Sequence, residues 1–177
     1  IRPLAPYAVK GAIWYQGENN APRAFRYRQL LPMMIADWRS LWKQDFPFII
    51  AQLANYMERK NEPTESEWAE LREAQLNTLH VEGTGMAVLI DAGMAEDNHP
   101  IDKATAGNRL GLAARHLAYG EDIAYSGPIY DNYTIEKGQI RISFRHTDGG
   151  LKTKDGGALR GFAIAGADRQ FHWADAR

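Results

Sequence analysis

The stretch Ala8-Val9-Lys10-Gly11-Ala12-Ile13-Trp14-Tyr15-Gln16-Gly17-Glu18-Asn19-Asn20 sets the frame for the rest of the chain. Its first half is a mostly apolar run with Gly11 inside it, the pattern of a parallel strand covered on both faces. Its second half is polar and turn-forming. Beyond it, Tyr27, Leu31, Met34, Trp38, Leu41 and Trp42 recur at helical spacing, which predicts a helix over 24–43. Pro32 lies inside that pattern and is expected to kink or split the helix. The same strand-then-helix sequence recurs twice. Residues 47–53 (Pro-Phe-Ile-Ile-Ala-Gln-Leu) read as a second buried strand. After a polar loop, Ser66 is a fair N-cap for a helix through 79. Residues 86–91 (Met-Ala-Val-Leu-Ile-Asp) read as a third strand, followed by a helix over 101–118 that stops at Gly120. Three such units in a row predict an α/β fold with a parallel sheet and right-handed crossovers.

The pattern changes near Gly127. Tyr, Ile and Phe now alternate with polar residues, and Glu136-Lys137-Gly138-Gln139 sits between two strand-like runs as a hairpin turn would. Gly149-Gly150 and Gly156-Gly157 mark further turns. The expected division is an α/β domain over 1–125 and an antiparallel β segment over 126–177, the latter an incomplete sheet system. The opening Ile1-Arg2-Pro3-Leu4 has neither Met nor the pattern of a signal peptide, so the chain is expected to begin inside a longer protein.

Composition narrows the function. A formal net charge of −1 gives no pull toward nucleic acid or an anionic membrane, and no apolar run approaches the length of a membrane span. Without Cys there is no disulfide, no thiolate nucleophile and no Cys-based zinc site. His80, His116, His146 and His172 show no paired ligand spacing, so no metal is expected. Trp38 and Trp42, four apart on one helix, read as core.

In open α/β sheets, ligands bind at the carboxyl ends of the strands. Segments 16–20, 54–58 and 92–99 leave those ends, so scattered polar residues should share one edge. In the first, Gly17 permits close backbone approach, the amides of Gln16, Asn19 and Asn20 can donate to a developing oxyanion, and Glu18 adds one carboxylate at the same edge. The plainer alternative is a turn in which Asn caps the next helix and Glu favours its dipole. In the last, Glu96-Asp97-Asn98-His99-Pro100 offers a base with an acid two or three positions before it. The plainer alternative there is a solvated acidic turn with Pro100 in the first position of a helix.

These residues resemble a family. Gly11-Ala12-Ile13-Trp14-Tyr15-Gln16-Gly17-Glu18 is similar to the G-x-x-W-Y-Q-G-E segment of sialate O-acetylesterases, members of the SGNH hydrolase superfamily. Trp68-Ala69-Glu70-Leu71-Arg72-Glu73-Ala74-Gln75 resembles their W-x-x-L-R-E-A-Q helix. Asp97-Asn98-His99-Pro100, with Lys103, Gly107 and Arg109-Leu110, resembles their D-x-H-P…K…G-x-R-L block. Gly161-Phe162-Ala163-Ile164-Ala165-Gly166 and Phe171-His172-Trp173-Ala174 resemble the β-rich segment that follows the hydrolase domain.

The resemblance implies a partial three-layer SGNH-type hydrolase domain and a serine esterase that removes O-acetyl groups from sialic acids without a cofactor. It implies His99 as base and Asp97 as its acid, although the wider superfamily's spacing would select Glu96. It implies Gly17 and Asn19 as oxyanion donors, with Gln16 and Glu18 lining the pocket. The family's nucleophile lies in a Gly-Gln-Ser-Asn-type block that this sequence lacks. Ser40, Ser66, Ser126 and Ser143 are its serines, and none sits in a Gly-rich strand-to-helix turn. The chain is therefore expected to be inactive alone, its partners being an O-acetylated sialic acid or related acetylated sugar and the remainder of the parent catalytic domain. A periplasmic or extracellular setting is also implied. Two other readings stand beside this one: a non-catalytic carbohydrate-binding or scaffold segment, and glycoside hydrolysis by Glu18 with Asp97.

Overall fold

The computed structural model describes residues 1–177 and divides them into two compact units, 1–57 with 66–126, and 58–65 with 127–177. The larger unit is α/β. Strands β1 (Ala12–Trp14), β2 (Phe48–Ala51) and β3 (Thr84–Ala87) form a parallel sheet in the order β1-β2-β3, with Trp14 opposite Ile50 and Ile50 opposite Met86. Helix α1 (Ala24–Trp42) connects the first two strands, α2 (Glu67–Asn77) the next two, and α3 (Lys103–Tyr119) follows β3.

The alternation of side chains along β2 explains the layers. Phe48 and Ile50 pack with Tyr27, Leu31 and Ile35 of α1 and with Trp68, Leu71 and Ala74 of α2. Ile49 and Ala51 face the other way, onto Ala106, Leu110 and Ala113 of α3. All four residues of β2 are buried, as a strand covered on both faces must be. The edge strand β1 is shorter than the apolar run suggested, and its Ile13 is 56% exposed. Helix α3 packs on β2 and β3, so the corresponding face of β1 stays open.

Local chemistry fixes the helix ends. Ser66 Oγ accepts from Ala69 N at 3.2 Å, and Asp102 Oδ1 accepts from Thr105 N at 2.9 Å, so both α2 and α3 carry side-chain N-caps. Gly120 ends α3 in the left-handed conformation. Pro32 does not split α1, which runs unbroken past it. Tyr27, Leu31 and Ile35 fix the buried face on both sides of the proline, so packing holds the helix together where one hydrogen bond is missing. Trp38 packs edge-on to Trp14 and Phe48, with centroids 5.7 and 5.8 Å away, in keeping with a core role.

The third strand begins and ends earlier than its apolar run implied. Its ladder covers Thr84–Ala87, and the bond from Gln52 N to Ala87 O at 2.9 Å is the last between the two segments. Leu89 is fully buried outside the ladder, which is why sequence pattern alone extended the strand.

The smaller unit is antiparallel β. Strands β4 (Ile129–Glu136) and β5 (Gln139–Arg145) form a hairpin whose turn residues, Lys137 and Gly138, both have positive φ (47° and 79°). That is the turn that Glu136-Lys137-Gly138-Gln139 suggested. Strands β6 (Ala163–Ile164) and β7 (His172–Trp173) form a second antiparallel pair, and Trp173 Nε1 donates to Asn61 O.

Candidate active site at the strand ends

Because the sheet is parallel, the segments following β1, β2 and β3 leave from one edge. Strands β1 and β3 flank β2, so their ends stand about 10 Å apart at ordinary strand spacing. A clear hydrogen-bonded construction underlies each of the three loops.

After β1, the Gln16 carbonyl accepts from Tyr27 Oη at 3.1 Å and from Gln75 Nε2 at 3.1 Å. The Gln16 carboxamide lies between Tyr27 Oη, 3.2 Å from Oε1, and Asn20 Oδ1, which accepts from Nε2 at 2.7 Å. Gln16 therefore spends much of its hydrogen-bonding capacity on the loop itself. Gly17 is buried at φ 148°, and a Cβ there would lie 2.8 Å from Leu71 Cδ2. Glu18 is half-buried, Asn19 is exposed, and Asn19 O accepts from Arg23 Nη2. No side-chain cap forms at the short 3-10 turn Glu18–Arg23 or at α1, so the asparagines here do not act as helix caps. Burial raises the pKa of the Tyr27 phenol, which keeps that hydroxyl a donor.

After β2, the loop is tied to the one after β3. Asn55 Oδ1 accepts from Gly93 N at 2.7 Å, and Met57 N donates to Ala95 O at 3.1 Å. Trp68 Nε1 donates to Ala54 O at 2.8 Å. A Cβ on Gly93 would come within 2.0 Å of Asn55 O, so only glycine lets these loops meet.

After β3, Arg109 of α3 grips Asp91 with both terminal nitrogens, Nη2 lying 2.9 Å from Oδ2, and Nη1 also donates to Val88 O at 2.7 Å. The paired carboxylate raises the Arg109 pKa. Further along, Asp97 Oδ1 accepts from His99 N at 2.8 Å and lies 2.9 Å from His99 Nδ1. The backbone bond from His99, then the ring bond, hold the Asp97 carboxyl below its ordinary value. A carboxylate only accepts, so Nδ1 is the donor, and in the neutral ring Nε2 is the basic nitrogen. The ring is largely exposed. Glu96 is exposed and makes no hydrogen bond to His99. Pro100 does not open α3, which starts at Lys103 behind the Asp102 cap.

Sequence reasoning singled out Gln16, Gly17, Glu18, Asn19, Asp97 and His99, and the loops that carry them start from the same edge of the sheet. It passed over Tyr27, Asn55 and Gln75, which shape the loops from behind. Tyr27 and Gln75 sit at core-facing helical positions, where a polar group is itself a signal. The open cleft lined by Arg39, Lys43, Gln44, Asp45 and Val81 lies at the opposite ends of β2 and β3 and brings no such constellation together.

A three-layer α/β domain with a carboxylate–histidine pair in the loop after its third strand has the layout of a hydrolase. Comparison with known proteins narrows this. Residues 2–114 match the model of the carbohydrate esterase family described as sialic acid-specific acetylesterase. The chain is 33% identical over 147 residues to the sialate O-acetylesterase of Mus musculus, covering 73% of this chain and 27% of that protein. It is 29% identical over 164 residues to the Homo sapiens protein of the same name, covering 81% of this chain and 31% of that one. A crystal structure of a carbohydrate acetylesterase from Xanthomonas citri superposes with a TM-score of 0.93 at 44% identity, covering 99% of this chain and 41% of that one. The chain belongs to the sialic acid-specific acetylesterase family of carbohydrate esterases. It spans about three tenths of the length of these mammalian relatives.

Proposed function

We propose that the protein carrying this chain is a serine-type carbohydrate esterase that removes O-acetyl groups from sialic acids. The observation that carries the reading is the Asp97–His99 pair, whose hydrogen bonds leave Nε2 as the basic nitrogen. His99 takes the proton of a serine hydroxyl as that oxygen attacks the acetyl carbonyl. Asp97 stays ionised and steadies the imidazolium. The loop carrying Gln16, Gly17, Glu18 and Asn19 faces the developing oxyanion and the sugar. As the tetrahedral intermediate collapses, His99 gives its proton to the departing sugar oxygen, leaving an acetyl-serine. Water attacks that ester with His99 again as base, and acetate leaves.

The nucleophile in this reading comes from outside residues 1–177. Ser66 is engaged as the cap of α2, Ser40 lies in the last turn of α1, Ser126 lies between α3 and β4, and Ser143 lies in β5. Residues 1–125 are then part of a catalytic domain and 126–177 a β-rich segment following it. The chain alone should release no acetate. The direct test is acetate release from O-acetylated sialic acid by the full-length protein, with acetylated xylose and glucose as comparisons. Preference for the sialic acid supports the substrate assignment, and no preference refutes it.

A further inference from the structure

Gln75 is completely buried, in the middle of α2, and its carboxamide works as a substitute peptide between two strand ends. Oε1 accepts from Leu53 N at 3.0 Å, just past the end of β2. Nε2 donates to Gln16 O at 3.1 Å, just past the end of β1, and reaches Ala51 O at 3.5 Å. Where the ladder between β1 and β2 stops, one side chain continues it.

The consequence falls on the Gln16–Gly17 peptide. Its carbonyl accepts from Gln75 on α2 and from Tyr27 on α1, so it points into the helical layer. In a trans peptide the N–H lies opposite the carbonyl. The Gly17 N–H is thereby turned away from α1 and α2, and no group in the chain accepts from it. The backbone is also pressed onto α2, since a Cβ on Gly17 would lie 3.3 Å from Gln75 Nε2. A backbone donor fixed in direction and left without an acceptor at a strand-end edge is suited to a charge that appears only during reaction.

We infer that Gln75, assisted by Tyr27, is a positioning residue that fixes the Gln16–Gly17 peptide so that the Gly17 N–H is preset as a donor to the acyl oxyanion. The inference rests on the esterase reading above.

The test uses the full-length protein with p-nitrophenyl acetate. Gln75→Met keeps the length of the side chain and removes its donor and acceptor. A loss of about tenfold or more in kcat is expected, with KM within about twofold, because the interaction acts on the transition state. Gln75→Glu supplies a distinct signature. Its buried carboxyl can donate to Gln16 O while protonated and repels that oxygen once ionised. Its kcat should fall at high pH along a limb that the wild type lacks, which a purely packing role would not produce.

Tyr27→Phe is the milder variant, removing the second donor to the same carbonyl, and should lower kcat a few-fold while the protein stays folded. Crystal structures of Gln75→Met and Tyr27→Phe should show the Gln16–Gly17 peptide rotated. A folded Gln75→Met with wild-type kcat, or an unrotated peptide in both variants, overturns the inference. Should the wild type show no His99-dependent activity, the esterase reading fails separately, and the peptide orientation alone decides whether Gln75 sets it.

Discussion

A single oxygen of Asp97 accepts both hydrogen bonds from His99, at 2.8 Å from the backbone N–H and 2.9 Å from ring Nδ1. The two bonds fix the imidazole relative to its own backbone and leave Nε2 as the basic nitrogen. Asp97→Ala in the full-length protein should lower kcat by roughly 10²-fold or more, with little change in KM. Glu96→Ala should stay within about threefold of wild type, since Glu96 does not hold the ring. Steady-state kinetics of the two variants decide which acid orients the histidine, and the reverse ranking would assign that role to Glu96.

The same bonds predict an acid dependence. The folded pKa of Asp97 is depressed below its ordinary value of 3.8, first by the backbone N–H of His99 and then by its ring. A depressed carboxyl contributes its stabilisation fully above the unfolded value and loses it as pH falls through the folded one. The loop should therefore hold its geometry at pH 5 and release His99 only below about pH 3.8. Carboxyl NMR titration of Asp97 checks this, and a midpoint at or above the ordinary value would contradict it.

Gly93 is where the loops after β2 and β3 touch. A methyl group there collides with the backbone oxygen of Asn55, 2.0 Å away, and backbone cannot swing aside as a side chain can. Gly93→Ala should destabilise the protein by roughly 1–3 kcal/mol, as overpacking does. It should also break the Asn55–Gly93 bond and disorder the His99 loop. Denaturant unfolding and hydrogen exchange over 92–99 report the two effects.

Gly17 faces a conformational as well as a steric limit, with φ at 148° and Leu71 Cδ2 2.8 Å from an added Cβ. Leu71 can shift, but the backbone angle remains unfavourable for any L side chain. Gly17→Ala should cost about 1–3 kcal/mol and lower kcat more than it raises KM. Unchanged stability and kcat would mean that the loop tolerates another conformation.

Arg109→Lys probes the anchor behind the His99 loop. Lysine cannot reproduce the two-pronged grip on Asp91 together with the bond to Val88 O. Both side chains are about one third exposed, so solvent screening limits the loss to about 1 kcal/mol or less. The clearer effect should be faster amide exchange across 92–99, measured by mass spectrometry.

The sequence revealed most where one physical effect dominated. Apolar periodicity located α1 because it buries a single stripe, and Ser66 and Gly120 marked ends of α2 and α3 that the structure keeps. Strand limits were less legible. Leu89 is as buried as a strand residue, yet it lies past the end of the ladder, and burial pattern alone does not separate the two. Pro32 was expected to kink or split α1, and the helix is not split, its buried stripe continuing on both sides of the proline. Asp97 and His99 were legible because the pair is local in sequence. Gln75 was quoted within its motif, but its partners Gln16 and Leu53 lie 59 and 22 residues away, and only the fold brings the three together.

The central claim is that His99 is the base of an acyl-transfer site completed by the rest of the protein. Its most direct test compares the wild-type full-length protein with His99→Ala on O-acetylated sialic acid and p-nitrophenyl acetate. Tm is measured alongside to show that the exposed ring contributes little to folding. The expected result is a fall in kcat/KM of roughly 10³-fold or more on both substrates with Tm unchanged. Wild-type turnover in a folded His99→Ala protein would contradict it.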